Sequence, residues 1–166
     1  NVDDDTAGYA IVEVDTTTNE DGIDTGSFTV RLNSQPTANV TVKFDTSNSN
    51  EGTPGVTALT FTTANWASPQ SVTVTGVDDY LDDGDISYSI ITAAAVSTDS
   101  NYNGLDADDV SVSNTDDDTA GITVTPTSGL VTSEAGVTAE FSVVLDSQPT
   151  GAVSIGISSS DTGEGT

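Results

Sequence analysis

Apolar and polar residues alternate along most of this chain. Tyr9 and Ile11 form the first such run, Phe28, Val30 and Leu32 the second, and Val40, Val42 and Phe44 the third. Leu59 with Phe61 follows, then Val72 and Val74, then Ile86, Tyr88 and Ile90, and finally Val110 with Val112. Alternate residues of a strand point to opposite faces, so each run predicts a strand with one face in a core. Thr and Ser fill the positions between, which suits an outer face that meets water. No stretch has the spacing of an amphipathic helix. Seven short strands separated by Gly, Pro, Asn and Asp predict an all-β, seven-stranded antiparallel sandwich.

The pattern recurs. Asn1-Val2-Asp3-Asp4-Asp5-Thr6-Ala7-Gly8 returns as Asn114-Thr115-Asp116-Asp117-Asp118-Thr119-Ala120-Gly121. Ser34-Gln35-Pro36-Thr37 returns as Ser147-Gln148-Pro149-Thr150, and Glu51-Gly52-Thr53 as Glu164-Gly165-Thr166, at one offset (147 − 34 = 164 − 51 = 113). A period of that length is one domain, so the expected organisation is a tandem array. Residues 1–6 then end a preceding repeat, 7–118 form a complete sandwich, and 119–166 begin the next. In that second copy Ile122 with Val124, then Phe141, Val143 and Leu145, then Val153, Ile155 and Ile157 predict three strands. Three strands leave an apolar face and open edges. The polypeptide is therefore expected to continue past Thr166, or a neighbouring chain to complete the fold.

Charge narrows the function classes. Twenty-seven acidic residues face two basic ones, Arg31 and Lys43, for a formal charge of −25. Nucleic acid and anionic membrane both need Lys and Arg to meet phosphate, so neither is an expected partner. With no Cys and no His, disulfide, thiol and ordinary zinc chemistry have no residues to work with. No base is placed to activate a serine, and the carboxylates cluster between strands rather than across a cleft, so the chain reads as non-enzymatic. No apolar run reaches the ~20 residues of a membrane-spanning helix, and any targeting signal is expected outside these residues.

The positions of the acids carry the sharpest expectation. Successive connections in an antiparallel sandwich alternate between its two ends. Glu20 and Asp21 follow the first predicted strand, Glu51 the third, and Asp78, Asp79, Asp82, Asp83 and Asp85 the fifth, while Asp116, Asp117 and Asp118 leave the seventh. All four segments are expected at one pole. Two carboxylates about 4 Å apart repel by on the order of 4 kcal/mol at an effective dielectric near 20, so such a cluster calls for cations or distance. Ca²⁺ suits it, taking six to eight oxygens from flexible loops and accepting bidentate carboxylates. The competing reading is a solvated acidic surface that aids solubility.

This order of acids resembles the Calx-beta domain: Glu20-Asp21-Gly22, Glu51-Gly52-Thr53, the pair Asp78-Asp79 followed by Asp82, Asp83 and Asp85, and terminal Asp116-Asp117-Asp118. That family is an immunoglobulin-like sandwich binding Ca²⁺ at one end, found in sodium–calcium exchangers, an integrin subunit and many bacterial surface proteins. The resemblance covers the first repeat and the visible part of the second. It implies that Glu20, Glu51, Asp78, Asp79, one or more of Asp82, Asp83 and Asp85, and Asp116 to Asp118 are Ca²⁺ ligands. The family usually carries Glu in the run after the paired aspartates, where this chain has only Asp. Its tandem, cysteine-free, Thr- and Ser-rich form is more similar to giant repeat adhesins of Gram-negative bacteria. The implied role is a Ca²⁺-stiffened extracellular spacer whose partners are neighbouring repeats or neighbouring copies in a fibre.

Three signals stand apart. Asp99, Asn101 and Asn103, with Gly104 next, have the oxygen spacing that opens an EF-hand loop, but Val110 stands where the bidentate Glu belongs. An Asx-rich turn with Gly at positive φ explains the same residues. Trp66 either stacks on a surface glycan or plugs the end of the core. Alternatives to the spacer are a carbohydrate-binding adhesion module and a filament or surface-layer subunit completed by strand addition.

Overall fold

The computed structural model describes residues 5–165; Asp3, Asp4 and Thr166, which take part in the repeated motifs, lie outside them. The described residues are all-β, without helix, and fall into two compact units. The first comprises residues up to 79 together with 83–117. Residues 80–82 belong with the second, which resumes at Asp118.

Ten strands build the first unit, in chain order β1 (Tyr9–Asp15), β2 (Thr17–Asn19), β3 (Thr25–Leu32), β4 (Val40–Thr46), β5 (Gly52–Pro54), β6 (Ala58–Phe61), β7 (Gln70–Gly76), β8 (Ile86–Thr92), β9 (Val96–Ser97) and β10 (Val110–Thr115). One sheet has the order β1-β3-β7-β5. The other has the order β2-β10-β8-β4-β6, with β9 also on β4. Each of the seven alternating runs lies in a strand: β1, β3, β4, β6, β7, β8 and β10.

The side chains that alternate inward meet in one cluster. Phe28, Val30, Leu32, Val72 and Val74 come from the first sheet; Val40, Val42, Phe44, Phe61, Tyr88, Ile90, Val110 and Val112 come from the second. Phe28 and Phe44 meet edge to face across the sheets, with centroids 5.8 Å apart. Each such fully buried side chain contributes about 1.5–3 kcal/mol, which makes this cluster the main source of stability. Trp66 is half-buried and packs against it, and its carbonyl accepts the Leu32 N–H at 2.9 Å.

The seven-strand antiparallel expectation needs correction in two respects. First, β2, β5 and β9 are additional, and they are two or three residues long, too short to show an alternation. Second, β2 runs parallel to β10, with Thr17, Thr18 and Asn19 beside Ser113, Asn114 and Thr115. The cause lies at the end of β1, where the pairing with β3 shifts register between Glu13 and Asp15. Asp15 then accepts from both the backbone N–H (3.0 Å) and the hydroxyl (2.7 Å) of Thr17. This Asx turn moves the chain from one sheet to the other without reversing it, so β2 reaches the edge of β10 parallel to it.

In the second unit β11 (Ile122–Thr125) pairs with β12 (Ser142–Leu145). Ile122 faces Leu145 and Val124 faces Val143. Subtracting 113 gives Tyr9 facing Leu32 and Ile11 facing Val30, the register of β1 on β3. The offset of the sequence motifs thus recurs in the register of this one strand pairing. The strand expected over Val153, Ile155 and Ile157 is absent: that stretch carries no ladder. In the first unit β4 is held by β6, β8 and β9, whereas residues 153–157 have no such ladder partner among the described residues. Without those partners a strand has nowhere to send its backbone hydrogen bonds.

Candidate metal centre

Four connections of the first unit meet at one end. Glu20 follows β2, Glu51 precedes β5, Asp79, Asp83 and Asp85 lie between β7 and β8, and Asp116 follows β10. Backbone hydrogen bonds tie these segments together. The Glu20 N–H donates to the Thr115 carbonyl at 3.2 Å, extending the parallel ladder by one residue, and the Val77 N–H donates to the Glu51 carbonyl at 3.0 Å. Asp116 is gripped twice: its own N–H donates to Asp85 Oδ1 at 3.2 Å, and its Oδ2 accepts the Gly84 N–H at 2.6 Å. Gly84 adopts φ 78°, a conformation that favours glycine.

The parallel pairing places Glu20 beside Asp116. Parallel strands exit at the same end, so the residues after Asn19 and Thr115 emerge side by side. A carboxylate oxygen of Glu20 lies within 4.8 Å of one of Asp116. Glu20 is only 2% exposed, and its Oε2 is buried with no hydrogen-bond partner among the described residues. Burial first, then the negative charges of Asp116, Asp79, Asp83 and Glu51, pushes its pKa up from 4.5 to about 7. All four charged neighbours acting on it are carboxylates. An ionised carboxylate buried among like charges costs several kcal/mol unless something positive meets it.

The donor set fits a hard divalent cation. Two oxygens on one Ca²⁺, each at 2.3–2.6 Å, can be no more than about 5 Å apart, a limit the Glu20–Asp116 pair satisfies. Every side chain here offers carboxylate oxygen, and Glu20 Oε2 is a buried acceptor still without a donor. Glu20, Glu51, Asp79, Asp83, Asp85 and Asp116 are the residues that could hold the ion.

Asp21, Asp78, Asp82, Asp117 and Asp118 complete the sequence candidates. Asp21 is exposed and accepts the Ile23 N–H at 2.8 Å, shaping a turn in which Gly22 has φ 67°. Asp78 and Asp117 are exposed. Asp82 belongs to the second unit, where its Oδ2 accepts the Ala120 N–H at 2.7 Å; Asp118 belongs to that unit as well.

The Asp99 loop lies at the opposite end of the sandwich and has the geometry of an Asx-rich turn. Asp99 Oδ2 accepts the Thr37 N–H at 2.7 Å and Oδ1 the Asn101 N–H at 2.9 Å. These bonds hold its carboxyl below the usual range. Asn101 and Asn103 are exposed, Asn103 Oδ1 accepts the Ser97 N–H at 3.2 Å, and Gly104 has φ 82°.

The alternation pattern did not single out Asn114, Thr18 and Tyr88 as polar neighbours of the site. Asn114 is fully buried, Thr18 is 1% exposed, and the Thr18 hydroxyl donates to Asn114 Oδ1 at 2.8 Å while lying 3.3 Å from the Tyr88 hydroxyl. A signal was present: Val110 and Val112 set the inward phase of β10, and the next inward position is Asn114 rather than an apolar residue. No known family model matches the chain, and comparison with curated proteins gives no match.

Proposed function

We propose that the chain is a Ca²⁺-rigidified spacer from an extracellular, tandem-repeat cell-surface protein, built from Calx-beta-like, immunoglobulin-like sandwiches. The observation that carries this reading is Glu20: a buried carboxylate with an unpartnered oxygen, facing only other carboxylates. A Ca²⁺ ion bound there supplies the missing positive charge. Glu20 and Asp116 contribute neighbouring oxygens, and Glu51, Asp79, Asp83 and Asp85 supply further carboxylates from the same end.

Asp116 begins the Asp-Asp-Asp seam between one repeat and the next. An ion that holds Asp116 against Glu20 fixes where the chain leaves the sandwich, which is what a stiff spacer requires. Repetition at 113 residues supports serial use, since a stalk gains length from each copy. The role needs no catalytic group, and neighbouring repeats are the natural partners.

Isothermal titration of the chain with Ca²⁺ tests this reading. Saturable binding that Mg²⁺ does not reproduce is expected, because Mg²⁺ keeps its waters and rarely occupies all-protein cages. No heat of binding at millimolar Ca²⁺ would remove the proposal's basis.

A further inference from the structure

A buried polar network lies just beneath the acidic cluster. Asn114 is fully buried at the inward position of β10 nearest the site. Its Nδ2 donates to the Val77 carbonyl at 3.2 Å and reaches Glu51 Oε2 at 3.5 Å. Its Oδ1 accepts the Thr18 hydroxyl at 2.8 Å, and that hydroxyl lies 3.3 Å from the Tyr88 hydroxyl. Only one orientation of the amide satisfies this pocket. Reversed, the amide would set its oxygen against two further oxygens, those of Val77 and Glu51.

The surrounding backbone leaves room for the amide. A Cβ on Gly76 would collide with Asn114 Oδ1 and the Asn19 carbonyl, and one on Gly52 would collide with the Tyr88 hydroxyl. Two glycines therefore let β5 and β7 close over the network. Glu51 itself is 7% exposed, so its carboxylate is held from below while water reaches it poorly.

We propose that Asn114, locked by Thr18, is a positioning residue for the cation site, fixing the Glu51 carboxylate in the place from which it binds the ion. This rests on the Ca²⁺ reading above. Groups that hydrogen-bond to a metal's ligands orient them, and losing one typically weakens metal affinity 10–100-fold. Leucine in place of Asn114 keeps the branching at Cγ, adds some bulk and removes both amide functions. Valine in place of Thr18 removes only the hydroxyl that fixes the amide's orientation.

The test compares the unaltered chain with Asn114→Leu and Thr18→Val, measuring the Kd for Ca²⁺ by calorimetry and the melting temperature in chelator. The expected result is a roughly 10-fold or larger rise in Kd for Asn114→Leu. Thr18→Val should shift Kd in the same direction by a smaller factor. Reduced melting temperature in chelator with unchanged Kd overturns the proposal, since a purely structural residue would give that pattern. If Asn114→Leu does not fold, Thr18→Val decides on the same criterion. Failure of the unaltered chain to bind Ca²⁺ overturns the underlying reading too, and that outcome is seen without any variant.

Discussion

Glu20 and Asp116 bring carboxylate oxygens within 4.8 Å of each other because the strands they follow, β2 and β10, run parallel. Had those strands been antiparallel, the two acids would have emerged at opposite ends. The Asx turn at Asp15, which moves the chain between sheets, is therefore what brings these two acids together.

The protonation of Glu20 sets a pH dependence for the metal-free chain. Its folded pKa of about 7 lies above the ordinary 4.5, so the folded state holds this proton more tightly than the unfolded one. Its contribution to stability is complete below 4.5 and is lost as pH rises through about 7. In chelator, melting temperature should fall between pH 5 and pH 8, and Glu20→Gln should flatten that fall. An equal decline in the variant would assign the effect to other groups. Asp99 acts in a separate window: its carboxyl is lowered from 3.8, so its contribution is lost only as pH falls below that value.

Phe28 and Phe141 are separated by the 113 residues that separate the recurring motifs (141 − 28 = 113) but do not share an environment. Phe28 is 1% exposed and Phe141 is 45% exposed. Phe28→Ala should cost about 3–5 kcal/mol, as large-to-small changes in a packed core do. Phe141→Ala should cost under about 1 kcal/mol. Urea unfolding followed by far-ultraviolet circular dichroism, which sees the strands of both units, checks the pair.

At the opposite end, Tyr102 OH donates to the Ser34 carbonyl at 2.6 Å and accepts the Ser34 N–H at 3.1 Å. Tyr102→Phe keeps the edge-to-face contact with Tyr9 but strands both backbone groups. The expected loss is about 1–3 kcal/mol, read from the denaturant midpoint. Ca²⁺ affinity should stay unchanged, because this corner lies far along the strands from the acidic end.

Strand positions were legible because burial on one face forces alternation, and Phe28-x-Val30-x-Leu32 can satisfy it in only one phase. Segments as short as Thr17–Asn19 and Gly52–Pro54 carry no such record; backbone partners decide them. Glu20, Glu51, Asp79, Asp83, Asp85 and Asp116 could be grouped from strand parity alone, which depends only on chain reversal. The turn at Asp21 and the capture of Asp82 by the Ala120 N–H depend on local hydrogen bonds that parity does not register. Asn114 was visible only as an interruption in the apolar phase of β10.

The most direct test of the central claim is the melting temperature at pH 8 of the unaltered chain and Glu20→Gln, each with Ca²⁺ and with chelator. Ca²⁺ at a hundredfold excess over its Kd should stabilise the unaltered chain by about 2.7 kcal/mol, or roughly 10 °C. Glu20→Gln should melt higher than the unaltered chain in chelator, because it removes a buried charge, and should lose most of the Ca²⁺ increment. Identical melting with and without Ca²⁺ in the unaltered chain would contradict the account.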